Sequence, residues 1–237
     1  LKVMVYNIRH GLGCDLRVDL VRIAHVIERE RPDLVGLNEV DVRFHRRSHF
    51  EDQLSFLAKR LGMKQAFGPS IQKSTDTNAF RGYGNGLLVK GIICSTKNIQ
   101  VNIRGEESRA LLVTDVIPHG MDQRLRVVVT HLGFTPWIRK RQTEQLLKQC
   151  DVDVPMVAMG DWNVTPGRSS VTRLFPVLKD VLKQSDVDAP TYPCPSPRKR
   201  IDYIFCTRHF HVQDAHVLNT PGCPSDHLPV TCRLALI

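Results

Sequence analysis

The sequence has no apolar run near the ~18 consecutive residues that would cross a bilayer. Its first seven residues, though partly apolar, lack the charged n-region and long h-region of a signal peptide. No C-x-x-C pair occurs among the seven cysteines (14, 94, 150, 194, 206, 223 and 232), and an odd set without that spacing argues against a disulfide framework and a structural zinc site. The pattern points to a reducing compartment, so the cytoplasm is the expected location, with a removed leader left open by a chain that begins on Leu. Repeats and low-complexity tracts are also missing, and ordinary Gly (15) and Pro (14) counts exclude a collagen-like or disordered chain. Aromatic residues make up only 6%, which leaves little for stacking on nucleic-acid bases.

What is present is a packed composition, 42% hydrophobic and 24% charged over 237 residues, enough for one large core. Charge is lopsided: 33 Lys+Arg against 24 Asp+Glu gives +9, which favours an anionic partner such as nucleic acid, phospholipid head groups or a phosphorylated small molecule. Three basic clusters stand out, at 43–49, 139–141 and 198–200. His45 and His49 have helical spacing for zinc, but sit in the first of these clusters and are read as loop residues.

Short β-branched runs at 3–6, 34–37, 87–89, 111–113, 126–129, 154–159, 201–205 and 228–234 read as buried strands. Amphipathic helices are expected after Asp19, after Glu51 and after Pro136. Four prolines within 189–197 forbid a helix or central strand, leaving an ordered surface loop. Helices alternate with strands early and strands run consecutively later, so an α/β fold of two packed mixed sheets with helices outside is expected.

The ends of the apolar runs carry the chemistry. The run at 3–6 stops at Asn7, the run at 34–37 at Asn38-Glu39, the run through Thr130 at His131, and the run to Met159 at Gly160-Asp161-Trp162-Asn163. On the returning strands Asp202 opens one run, and Ser225-Asp226-His227 precedes another. Strands leaving and strands returning deliver these groups to one common edge, where hard oxygen ligands beside two imidazoles suit Mg²⁺ or Mn²⁺ and proton transfer.

Tyr6-Asn7-Ile8-Arg9-His10-Gly11, Leu37-Asn38-Glu39-Val40, Thr130-His131-Leu132-Gly133, Gly160-Asp161-Trp162-Asn163, Ile201-Asp202-Tyr203-Ile204 and Ser225-Asp226-His227-Leu228-Pro229-Val230 resemble, in order, the motifs of the endonuclease/exonuclease/phosphatase superfamily, the deoxyribonuclease I-like metal-dependent phosphohydrolases. The resemblance implies a four-layer α-β-β-α sandwich, one catalytic domain over 1–237, and hydrolysis of a phosphate ester with Mg²⁺ or Mn²⁺ as cofactor. Carried over, Glu39 resembles the principal metal ligand, with Asn7 and Asp226 supporting the metal. Asp161 resembles the residue that orients or deprotonates water, and Asn163 the amide donor to the nucleophile or transition state. His131 and His227 would approach the scissile phosphate, with Asp202 fixing a histidine tautomer. Asn85 and Arg109 fall in more variable segments and, with Arg9 of the first motif, are candidates for substrate contact. Asn163-Val164-Thr165 is also a glycosylation sequon, and is read as catalytic instead.

Arg9 stands where the apurinic-site branch carries a short acidic or amide residue, and His131 is one that this branch commonly lacks; both lean towards secreted-deoxyribonuclease-like, sphingomyelinase-like or phosphosugar hydrolases. A phosphodiesterase with endonuclease-like activity is expected first, acting as a monomer on an anionic substrate such as DNA or phospholipid head groups. Phospholipid or phosphosugar hydrolysis, phosphomonoesterase activity and a non-catalytic binding module are the alternatives.

Overall fold

Residues 3–6 enter as the core of the first strand, and all four are fully buried. The computed structural model describes residues 1–73, 80–102 and 104–237. Its strands are β1 (Lys2–Asn7), β2 (Leu34–Val42), β3 (Lys64–Lys73), β4 (Arg81–Val89), β5 (Gly91–Val101), β6 (Arg109–Pro118), β7 (Leu125–His131), β8 (Met156–Asp161), β9 (Leu178–Asp180), β10 (Asp202–Thr207), β11 (Phe210–Val217) and β12 (Val230–Leu236). They form two six-stranded sheets, ordered β11-β12-β1-β2-β4-β3 and β5-β6-β7-β8-β10-β9. Each sheet is mixed: β1 and β2 run parallel in the first and β7 and β8 in the second, and the other pairs are antiparallel.

Helices α1 (Leu20–Glu30) and α2 (Gln53–Leu61) cover the outer face of the first sheet, and α3 (Pro136–Leu147) and α4 (Ser169–Thr172) that of the second. A short α5 (Val181–Gln184) closes one end of the space between the sheets. The helices form where side chains make them start and stop. Asp19 caps α1 by accepting from the Val21 and Arg22 amides, apolar residues 20, 23, 24 and 27 form one buried stripe, and Arg31 ends the helix in a left-handed turn before Pro32. Asp52 caps α2, and Gly62, at φ 63°, ends it.

Val3, Val5, Leu34, Leu87 and Val89 of the first sheet pack face to face with Leu112, Val127, Val129, Val157, Met159 and Ile204 of the second. Met4, Tyr6 and Leu37 point outward under α1 and α2, as period-2 alternation requires of a strand buried on both faces. Close approach of the sheets needs Gly36, where an added Cβ would meet the Met159 sulfur at 2.7 Å. The four-layer α-β-β-α arrangement is therefore present.

Strands β3, β5, β9 and β11 have no counterpart among the expected runs, because β5 and β11 are largely solvent-facing, β3 is polar at both ends and β9 is only three residues long. A second difference concerns sulfur. Cys194 and Cys223 form a disulfide, and Cys14, Cys94, Cys150, Cys206 and Cys232 are free. The cysteine spacing, which argued against a disulfide framework, did not point to this bond. The two partners are 29 residues apart, in the loops preceding β10 and β12, and no short-range spacing marks the pair.

Candidate active site

Strand register does the first work of assembly. Asn7 pairs with Asn38 across the parallel β1/β2 ladder, His131 with Asp161 across β7/β8, and Asp202 with Asp161 across β8/β10. The common edge expected from the run ends is thus real.

Asn38 ties the two sheets at this edge. Its side-chain amide donates to Asn85 Oδ1 (2.8 Å) and to the Thr130 carbonyl (3.1 Å), while its Oδ1 accepts the Asp161 amide proton (2.8 Å). Glu39 follows at a β-bulge, where the β2/β4 register shifts between Leu37 and Val40, and takes φ 59°. A left-handed glutamate in a strand is strained, and the bulge turns its carboxylate out of the sheet into the cleft. Asn7 stands between the sheets, its Nδ2 donating to Glu39 Oε1 (3.0 Å) and Asp161 Oδ2 (3.1 Å) and its Oδ1 accepting from the Arg9 amide (3.1 Å).

Asp161 is the hub. Its Oδ1 accepts from the Asn163 amide (2.8 Å), and its Oδ2 lies 3.4 Å from His131 Nε2 and 3.6 Å from His227 Nε2. On the far side of His227, Nδ1 is 2.8 Å from Asp202 Oδ2. Nδ1 therefore carries a proton, which leaves Nε2 aimed at Asp161. Asp202 is steadied in turn by its own amide, which donates to Thr191 Oγ1. Asn163 Nδ2 donates to the Leu132 carbonyl (2.7 Å), which fixes that amide's orientation, and it lies 2.9 Å from His131 Nε2. An amide nitrogen only donates, so His131 Nε2 is an unprotonated acceptor.

Electrostatics agree with these roles. Burial, then the charges of Arg109 and His227, hold His131 well below the usual histidine range and keep it neutral. Burial also pulls His227 down, but the carboxylates of Asp202 and Asp161 outweigh it and hold the ring charged. Burial raises the Asp161 carboxyl above the usual range, only partly opposed by His227. A base of raised proton affinity thus lies beside a fixed imidazolium, a pairing typical of catalytic sites.

Glu39, His131, Asp161, Asn163, Asp226 and His227, all expected, line one cavity of about 350 Å³. Asn7 and Asp202 stand behind them, and Arg9 meets Asp226 at 3.4 Å (Nε to Oδ2). Asn85 and Arg109 are placed differently from the expectation. Asn85 is fully buried behind Asn38 and donates to the Ala110 carbonyl, so it braces the site instead of facing substrate. Arg109 is buried, paired with Glu107 at 2.7 Å, and acts on the site through its charge on His131. Both amide protons of Asn163 are engaged, on Leu132 and His131, in this arrangement. Two rim cations are also not free: Arg200 is buried on Asp180, and Arg47 grips the buried Asp41 with two hydrogen bonds.

Phe134, Lys199 and Ile201 also line the cavity, and Tyr192 lies with its ring 4.8 Å from that of His227. Phe134 was not expected there; its one signal is its position three residues beyond His131. Among the described residues one close cluster of potential metal-ligand atoms occurs, formed by Asp161, Asp202 and His227. The 2.8 Å Asp202–His227 hydrogen bond already occupies it, so a proton relay describes it better than a metal cage.

A model of the Endonuclease/Exonuclease/phosphatase family matches residues 4–227. Among solved structures the chain is similar to an endonuclease/exonuclease/phosphatase from Beutenbergia cavernae DSM 12333, at 28% identity and TM-score 0.84, covering 100% of this chain and 71% of that one. It is also similar to a Bacteroides thetaiotaomicron VPI-5482 mannosyl-6-phosphatase (19%, TM-score 0.78, 100% of both chains). A further likeness is to the human nocturnin catalytic domain with bound sulfate (24%, TM-score 0.78, 100% and 93%). At these lower identities the last two show the fold alone. A search of curated proteins finds no match. The family match runs over nearly the whole chain and takes in every element of the site, and the protein belongs to the endonuclease/exonuclease/phosphatase family.

Proposed function

We propose that this chain is a divalent-metal-dependent phosphodiesterase with endonuclease-like activity, built as one catalytic domain. The observation that carries the reading is the Asp202–His227–Asp161 chain, whose His227 and Asp161 line the cavity together with Glu39 and Asp226. Asp161, its proton affinity raised by burial, is suited to take a proton from an attacking water. His227, held charged and oriented by Asp202, donates from Nε2 to a non-bridging phosphoryl oxygen, where negative charge gathers in the transition state. His131 and Asn163 form the opposite wall and keep a neutral imidazole against Asp161.

The charge balance supports a cation. Among the described residues the four carboxylates of Glu39, Asp161, Asp202 and Asp226, at or just behind the cleft, face three cations, the His227 imidazolium, Arg9 and Lys199, and Glu39 makes no ion pair, which leaves negative charge in excess. Hard carboxylate oxygens suit Mg²⁺ or Mn²⁺, and Glu39 and Asp226 would hold the ion, with Asn7 orienting Glu39 through its Nδ2 hydrogen bond. Such an ion supplies charge neutralisation on a phosphoryl oxygen and acidifies bound water. For location, the Cys194–Cys223 disulfide favours an oxidising compartment over the cytoplasm expected from the cysteine pattern.

The test is hydrolysis of bis-p-nitrophenyl phosphate and nicking of plasmid DNA with Mg²⁺ or Mn²⁺, with and without EDTA, beside Asp161→Asn and Glu39→Gln. Turnover of both substrates that EDTA and either substitution abolish supports the reading. Diester cleavage with DNA left intact moves the substrate to phospholipid or phosphosugar. No turnover, or turnover indifferent to both substitutions, overturns it.

A further inference from the structure

Beside the catalytic cavity lies a second, larger depression of about 520 Å³, and its lining is basic: Arg139 and Lys140 from α3, Arg168 and Arg173 from around α4, and Lys199 from the proline-rich loop. None of its lining residues is acidic. The two spaces adjoin, since Asn163, Lys199 and Ile201 line both. Within the proposed reading of the cleft, we propose that this depression is a subsite for a second phosphate group of the substrate, next to the phosphate that is hydrolysed.

Five cations around one depression repel one another, and little within the protein relieves them. Among the described residues Arg168 and Lys199 make no ion pair, and Lys140 and Arg173 share the single carboxylate of Glu144 at 3.9 and 3.8 Å, the outer limit of such a contact. Arg139 is held in place by the Gly133 and Phe134 carbonyls, both accepting from Nη1, which leaves its Nε and Nη2 protons to point elsewhere. By contrast, Arg47 and Arg200 from the other basic clusters are each paired with a buried aspartate. The charge at α3 and α4 is therefore uncommitted, and it lies against the one wall of the site that Asn163 joins to the reacting centre. A dianionic phosphate would relieve the repulsion and accept from several guanidinium and ammonium donors at once.

The depression is larger than the catalytic cavity, so a phosphate arrives there with the sugar or linker that carries it. A small bisphosphate and a nucleotide strand both present that chemistry. The exposed Phe134 on the lining of the catalytic cavity offers a ring for a base to stack on.

The experiment compares the dinucleotides TpT and pTpTp, identical at the internal diester but differing in terminal phosphates, in the native enzyme and in an Arg168→Gln/Arg173→Gln double variant. Arg168 is exposed and its side chain caps no helix, while Arg173 is half-buried and loses one hydrogen bond, from Nε to the Ser169 carbonyl of the four-residue α4, so the melting temperature of the variant checks that it folds. Native enzyme is expected to favour pTpTp by roughly tenfold in kcat/KM, through KM, and the double variant to lose that preference while kcat shifts less than twofold. Inhibition by a hexose bisphosphate in the concentration range where pTpTp acts identifies the small-molecule source; inhibition by nucleotides alone identifies the strand. An undiminished pTpTp preference in the variant, or no preference in native enzyme, overturns the subsite. If native enzyme cleaves nothing, the catalytic reading fails separately, and calorimetric binding of pTpTp against TpT to both proteins still decides: a discrimination of roughly tenfold lost in the variant supports the subsite, and equal binding overturns it.

Discussion

The His10 ring is buried in a left-handed turn (φ 45°), with Nδ1 unpartnered and Arg47 and Arg9 nearby. Burial, then Arg47, lowers its pKa from 6.5 to about 4. Between those values the unfolded chain binds a proton that the folded chain refuses, so this contribution to stability is complete above pH 6.5 and is lost as pH falls towards 4. The loss is on the order of 3 kcal/mol. His10→Asn keeps a residue tolerant of the left-handed turn and removes the titration; its urea midpoint should fall less than the native one between pH 6.5 and 4, and parallel curves would refute the assignment. On the proposed reading, Asp202→Asn removes the charge that holds His227 protonated and should lower kcat roughly a hundredfold with KM little changed. A change confined to KM would give Asp202 a binding role. Residue identity was legible from the motifs: Asn7, Glu39, His131, Asp161, Asp202 and His227 are each where the ends of apolar runs put them. Partnership was not. That Arg200 is spent on Asp180, and that Asn85 turns inward to Asn38, depends on contacts across 20 and 47 residues that no local pattern encodes.

At the scale of elements, the site depends on how β7 and β8 meet. Gly160 has φ 152°, and an added Cβ would lie 1.7 Å from the Thr130 carbonyl oxygen of the neighbouring strand. No rotamer relieves a clash with backbone, so Gly160→Ala must spread the parallel pair or twist Asp161 away; a stability loss of about 3 kcal/mol or more is expected. Chemical denaturation reads it, and a loss below about 1 kcal/mol would mean that the ladder yields cheaply. The disulfide acts on neighbouring elements, linking the loop that carries Tyr192 and Lys199 to the loop that carries Asp226 and His227. A Cys194→Ser/Cys223→Ser double variant should lose roughly 3 kcal/mol in the chain-entropy account, seen as a lower urea midpoint than that of the unreduced native protein. An unchanged midpoint would mean that the loops are held by the Cys194 amide to Asp226 carbonyl hydrogen bond and its neighbours instead. Buried strands were legible because apolar runs mark them. The exposed β5 and β11 were not, since their apolar residues are interrupted by Ser, Thr, Lys, Asn and Gln in one and by His, Gln and Asp in the other, and form no long run.

For the whole molecule, the question is whether two sheets make two folding units or one. Each sheet has its own helices and its own outer core, and a chain of 237 residues is long enough for two domains. The inner core argues for one. Val3, Val5, Leu34 and Leu87 share one buried core with Leu112, Val127, Val129 and Met159 of the opposite sheet, so parting the sheets would expose both inner faces at once. Polar ties add to this at the edge that carries the candidate site, where Asn38 bonds Thr130 and Asp161, and Asn7 bonds Asp161, across the same interface. Chain order adds more: β12, the last strand, lies between β11 and β1 in the first sheet, so that sheet cannot be completed until the second has been threaded through. Unfolding should therefore be a single cooperative transition, with far-UV circular dichroism, which sees both sheets, coincident with the fluorescence of Trp162, which is buried on the outer face of the second. The exposed Trp137 adds a background that Trp137→Phe removes. Separate midpoints for the two signals would divide the chain into two units and place the catalytic residues at a boundary between them, where the Asn38 ties would have to form last.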